Sequence, residues 1–214
     1  MDRHLRITIF LILLLGAFSH YCFAADTNWL TTTDAGLKPA AEAYLKAAEP
    51  VGKLPFDLSY VMLLLERGEF GDKAFDILDE AMKRERVLEN GWKSIQNVTG
   101  KPDAAESDYN FLKCRLRLIV AVARAGVAQR MADPAMRAYS SQAMESAIDA
   151  LRDSANYGEK AKDCSPGLGA PNPSPAKISA LRTKLLEIWD ASQKRADATP
   201  IREMDLSALV KSFQ

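Results

Sequence analysis

The sequence predicts an all-α fold: a single-domain helical bundle, or a short α-solenoid-like array, of about seven helices around a buried central one. Three observations predict it. Tyr109 to Gly126 (YNFLKCRLRLIVAVARAG), set on a wheel of about 100° per residue, is apolar over most of its circumference. Phe111, Leu112, Leu116, Leu118, Ile119, Val122 and Ala123 fill one arc, Ala121 and Ala125 extend it, and Lys113, Arg117 and Arg124 mark a narrow polar stripe. A helix apolar nearly all round belongs in the middle of a protein. Second, Asp133-Pro134, Ser174-Pro175 and Thr199-Pro200 are helix starts, a capping residue followed by proline in the first turn. Third, no run of alternating apolar and polar β-branched residues marks a strand.

In chain order, residues 1–24 read as a secretory signal. Arg3 and Arg6 precede the apolar run Ile7 to Phe18, and small Ala24 stands before Ala25. The run is short for a membrane span, which needs about 20 apolar residues; an uncleaved N-terminal anchor is the alternative. The remainder, 25–214, is long enough for one domain with a full core. After an irregular lead-in, Asp34 is the expected cap of a first helix, Leu37 to Glu49, with Leu37, Ala41, Tyr44, Leu45 and Ala48 on one side. Pro50, Gly52 and Pro55 are expected to end it. A second helix, Asp57 to Arg67, is apolar on nearly every side and ends at Gly68. Asp72 is the expected cap of a third, whose inner face carries Ala74, Phe75, Ile77, Leu78, Ala81 and Met82. Its outer face pairs Asp79 with Lys83 and Glu80 with Arg84 at i,i+4.

Asn90 to Lys101, bracketed by Gly91 and Gly100, reads as irregular, pinned to the core by Trp92 and Ile95. Asn97-Val98-Thr99 fits a glycosylation acceptor. Pro102-Asp103 opens the central helix. The helix after Asp133-Pro134 presents Met136, Tyr139, Ala143, Met144, Ala147, Ile148 and Leu151 inward. Gly158 to Pro175 is the long irregular crossover, with Cys164 and four prolines. Ile178, Leu181, Leu185, Ile188 and Trp189 give the next helix a narrow apolar arc, and Leu206, Leu209 and Val210 belong to a last short one.

The composition excludes several chemistries. The only histidines, His4 and His20, lie in the signal, so the exported chain has no imidazole for a Ser/His or Cys/His triad, zinc or haem. No cofactor and no metal site is expected. Met131, Met136 and Met144 have the thioethers that bind Cu(I), but at core spacing and without histidine they read as packing. Removing Arg3, Arg6 and Asp2 from 28 basic and 28 acidic residues leaves a net charge of −1, which argues against a nucleic-acid partner. No integral membrane segment is expected beyond the signal. Losing Cys22 leaves Cys114 and Cys164, an even pair expected to form one disulfide in an exported protein. Arg115 falls inside the apolar arc of the central helix, between Phe111, Leu118 and Ile119. It is either a snorkelling or ion-paired side chain or an anion-binding arginine between helices.

Gly68-Glu69-Phe70 with Ala74, Leu78 and Ala81 resembles the turn and second helix of a tetratricopeptide repeat, over roughly Leu58 to Lys83. The resemblance implies a helical hairpin and a peptide-binding groove. Gly71 lengthens the turn by one residue, and no second copy follows at a period of about 34 residues. Glu106-Ser107 resembles the Glu-Ser pair of helical bacterial cell-wall lytic enzymes, which implies a single glutamate acid; their Gly-Leu-Met-Gln segment is not in this chain. The reading that follows is an exported, non-catalytic helical binding or scaffold protein of the cell envelope. A carboxylate-dependent cell-wall enzyme and a tetratricopeptide-like interaction module are the alternatives.

Overall fold

The structure, a computed structural model, describes residues 37–52, 58–98, 103–161 and 173–211. The signal, the Asp34 cap and Cys164 lie outside the described residues. Among those described there are eight α-helices and no strand. They are α1 (Lys38–Gly52), α2 (Leu58–Glu66), α3 (Phe70–Ile95), α4 (Asp103–Arg130), α5 (Arg137–Lys160), α6 (Pro175–Arg195), α7 (Thr199–Arg202) and α8 (Leu206–Lys211). A 3-10 turn, Pro134–Met136, leads into α5. The architecture is an all-α bundle. None of these helices is long and apolar enough to cross a membrane.

α4 is the central helix that its sequence predicts. Every residue of its apolar arc is buried. It packs against α3 on one side and α5 on the other; α1 lies against α3, and α6 against α5. Two apolar clusters result, and α4 runs through both. One holds the C-terminal half of α4 with α2, the start of α3, α5, α6, α7 and α8. The other holds the N-terminal half of α4 with α1 and the end of α3.

Several helix ends form as their residues dictate. Gly68 stands at φ 69°, a left-handed conformation that costs glycine little. The Glu69 amide donates to Leu64 O at 2.9 Å and the Gly68 amide to Leu65 O at 3.2 Å, which closes α2 in a Schellman turn. Asp133 Oδ1 accepts from the Ala135 amide at 2.9 Å, and Ser174 Oγ from the Lys177 amide at 3.3 Å. The expected single helix at the C-terminus is two, because the chain bends at buried Met204 and restarts with Asp205 capping Ala208. The Gln129 amide reaches across to Met204 O at 2.6 Å and fastens that bend to the end of α4.

Other expectations need correction. α3 starts at Phe70, and Asp72 is not its cap; the Asp72 carboxylate pairs with Arg130 of α4 instead. α1 continues through Pro50 to Gly52. α2 is not buried all round, since Leu63 is exposed. Phe75, Met136 and Tyr139 are exposed, not inward. For Met136 the reason is phase, since it lies in the tighter 3-10 turn before α5; Tyr139 lies in α5 itself, about 140° round the wheel from buried Met144. The hairpin implied by the tetratricopeptide resemblance is unequal. α2 has 9 residues and α3 has 26, and α3 spends most of its length on α1 and α4.

The segment around Gly91 is not irregular. α3 runs through it to Ile95, because Gly91 is where α1 and α3 touch. A Cβ at Gly91 would collide with Ala47 Cβ and sit 3.5 Å from Ala43 O. Gly126 likewise leaves α4 unbroken and makes room for the Phe70 ring. Gly91→Ala is expected to destabilise the protein by about 1–3 kcal/mol through overpacking, despite the better helix propensity of alanine. Adding Ala47→Gly removes the colliding methyl and should return much of that loss. Urea titration of the two single variants and the double checks it; strictly additive losses would mean that the helices do not meet there.

Candidate functional site

Two polar assemblies lie at the α1/α3/α4/α5 end of the bundle. The first is internal. Lys113 of the supposed polar stripe is 0% exposed. Its ammonium hydrogen-bonds to Glu89 and lies 2.6 Å from Glu85 Oε1, both on α3. Arg117, one turn on, places Nε 2.6 Å from the same Glu85 oxygen, an ion pair at an angle unsuited to hydrogen bonding, and Nη1 4.0 Å from Asp153 of α5. The stripe of α4 therefore faces the neighbouring helices rather than solvent. It exists because a 28-residue helix packed on both sides leaves its lysine nowhere else to go. A charge so placed persists only with partners around it, since an ammonium buried alone is strongly unfavourable.

Above this network an aromatic column takes one ring from each of four helices. Tyr44 of α1 meets Trp92 of α3 edge-on at 6.2 Å, Trp92 stacks on Tyr109 of α4 at 4.6 Å and 11°, and Tyr109 meets Tyr157 of α5 edge-on at 6.3 Å. Lys113 Nζ also lies 5.8 Å from the centre of the Tyr157 ring. Burial pushes the Tyr109 hydroxyl well above the usual tyrosine range, and Tyr157, Glu89 and Glu85 add to it. Tyr44 is raised in the same way by burial, with Asp108 and Tyr109 contributing. These phenols are therefore unsuited to act as bases near neutral pH.

The second assembly is open. A cleft of about 270 Å³ lies where α4 begins and α5 ends, lined by Asp103, Glu106, Ser107, Asn110 and Lys160. Asp103 and Glu106 occupy the first turn of α4, where carboxylates complement the positive end of the helix. Asn110 is different. It is 5% exposed, and its amide has no hydrogen-bond partner among the described residues.

The residues singled out by the sequence fall as follows. Glu106 is exposed and lines the cleft. Arg115 is half-buried, its guanidinium 5.7 Å from the centre of the Phe111 ring, and it is not in the cleft. Arg124 holds α4 to α5 through Nη1 to Ser146 O at 3.2 Å, and burial together with Arg117 lowers its pKa. No disulfide is seen among the described residues. Cys114 is buried with its Sγ 3.6 Å from Ser154 Oγ, while Ser154 Oγ donates to Cys114 O at 2.9 Å; the expected bond to Cys164 is thus not seen. Sequence reasoning missed Asn110 and the inward direction of Lys113. The only signal for Asn110 was an amide one turn before Cys114 on a largely apolar helix.

No family model matches this chain, and no curated protein or solved structure does. No cluster of three or more metal-ligating side chains occurs among the described residues.

Two outcomes are expected from the internal assembly. Lys113→Met should cost about 1–3 kcal/mol in urea titration, because it takes from buried Glu85 one of its two cations and leaves only Arg117, at an angle unsuited to hydrogen bonding. Glu85→Gln introduced on top should then cost less than it does in the wild type; equal costs would show that the two are not coupled. The tyrosines set the alkaline limb. A folded pKa raised above the unfolded value near 10 gives stability that is whole below that pH and lost as pH rises through the folded value. Tyr44→Phe/Tyr109→Phe should therefore lose less stability than the wild type as pH rises past about 10. Parallel curves for the two proteins would refute the assignment.

Proposed function

We propose that the chain is an exported, non-catalytic helical binding protein of the cell envelope, periplasmic or extracellular, with its ligand site in the cleft at the start of α4. One observation carries this reading: the division of the polar groups. Lys113 and Glu85, two of the three charged residues buried among those described, the third being Asp108, are committed to one another and to Glu89 and Arg117. The cleft instead collects Asp103, Glu106, Ser107, Asn110 and Lys160 around a space that a ligand can enter. The export signal and the lack of histidine beyond His20 support the location and the non-catalytic character. The pairing of Cys114 with Cys164 belongs to the same reading, since an exported protein is oxidised.

The place of Glu106 in the cleft favours one second reading, a cell-wall enzyme that uses a glutamate acid without histidine. An assay on purified cell walls separates the two. The binding reading expects no release of muropeptides. Release abolished by Glu106→Gln would make the enzyme reading the correct one. Intact-mass measurement of the exported protein is expected to give a chain starting at or near Ala25 and two hydrogens lighter than the fully reduced form. A retained Met1 to Ala24 would refute cleavage, and a fully reduced mass would refute the disulfide.

A further inference from the structure

From the chemistry of the cleft we infer that its ligand is a neutral polyhydroxylated molecule, a saccharide unit, anchored on the Asn110 amide. The inference rests on the binding-protein reading above and names its ligand class. Three features point to it.

The first is Asn110 itself. Its amide offers two donors and an acceptor to one ligand edge. It is 5% exposed, lines the cleft and has no partner among the described residues. Its amide opens onto the cleft, and a hydroxyl entering there, both donor and acceptor, can bond to either end of it.

The second is charge. The lining carries Asp103 and Glu106 against Lys160. An anion would face two carboxylates. A small cation would face Lys160 and the positive end of a 28-residue helix. A neutral polyol meets neither penalty: its hydroxyls donate to the carboxylates and accept from Lys160, Ser107 and Asn110.

The third is size. At about 270 Å³ the cleft falls just below the range of pockets for drug-sized ligands, about 300–1,000 Å³. It accommodates a ligand of about one ring rather than a folded partner.

The test follows the Asn110 side-chain amide of the ¹⁵N-labelled protein by NMR during titration with N-acetylglucosamine, glucose and the N-acetylglucosamine trimer. Glucosamine and inorganic phosphate are the cationic and anionic comparisons. Saturable shifts of the Asn110 amide by a neutral sugar are expected, with a dissociation constant of about 1–10 mM. Glucosamine and phosphate should bind about tenfold or more weakly. Asn110→Ala should abolish the response or weaken it about tenfold, as expected for lost hydrogen bonds. Its melting temperature should hold or rise, because the substitution removes an amide that has no partner. A fall in melting temperature would instead show that Asn110 serves the fold, and would overturn the inference. So would a preference for phosphate or glucosamine, or no Asn110 shift by any neutral sugar at about 50 mM; these last results leave open a binding protein with another ligand. Cleavage of the trimer with the Asn110 shift retained supports the ligand class and overturns only the non-catalytic reading.

Discussion

The structure depends on finding partners for one buried ammonium. Lys113 lies near the middle of α4, between helices on both sides, and cannot reach water. Glu85 and Glu89 lie one turn apart on α3, so both can turn toward the same point of α4. Arg117, one turn beyond Lys113, shares the Glu85 oxygen and extends toward Asp153 on α5. These four side chains fix how α3 and α4 register along their lengths. A slide of one helix by a single turn would leave Lys113 opposite only one of the two carboxylates and would part Arg117 from Glu85. Apolar packing alone tolerates such slips far better than a buried charge does.

With that register set, close approaches become possible at both ends of α3. Phe70 enters over Gly126, and Gly91 meets Ala47. On the other side α4 lies against a run of small residues of α5: Ser140, Ala147, Ser154, Ala155 and Gly158. Two of these serines return their hydroxyls to α4 carbonyls, Ser140 to Ala128 O at 2.8 Å and Ser154 to Cys114 O at 2.9 Å. Ser154 and Gly158 also bring α5 against the Cys114 thiol. The aromatic column then holds α1, α3, α4 and α5 at the same end of the bundle.

The class and the central helix were legible because both rest on periodicity. The apolar coverage of α4 is visible without knowing its neighbours. What a wheel cannot supply is the identity of the opposite surface. Lys113, Arg117 and Arg124 share a stripe in the sequence, but only the presence of Glu85 and Glu89 across the gap decides that the stripe points inward. Glycine was ambiguous for a related reason. Gly68 ends a helix at positive φ, while Gly91 and Gly126 sit inside helices where another backbone or ring comes close. A missing Cβ serves either purpose, and flanking sequence does not tell them apart. Asp72 looked like a cap because it is the aspartate nearest a helical period; its partner, Arg130, is 58 residues away.

The same logic explains why the candidate site lies at the end of α4 and not within it. Inside the bundle each charged group must be neutralised where it stands, or the fold loses more than it gains by keeping it. The network that anchors Lys113 commits its members to one another. At the start of α4 the requirement relaxes. Asp103 and Glu106 reach solvent and complement the helix end, and Lys160 arrives from the last turn of α5. Asn110 stands one turn before the buried cluster and is as enclosed as its neighbours, yet it faces the cleft rather than α3. It marks the boundary between the buried ion-pair network and the open cleft. The proposed ligand site lies at that boundary, where partial burial strengthens a hydrogen bond and the cleft still admits a partner for it.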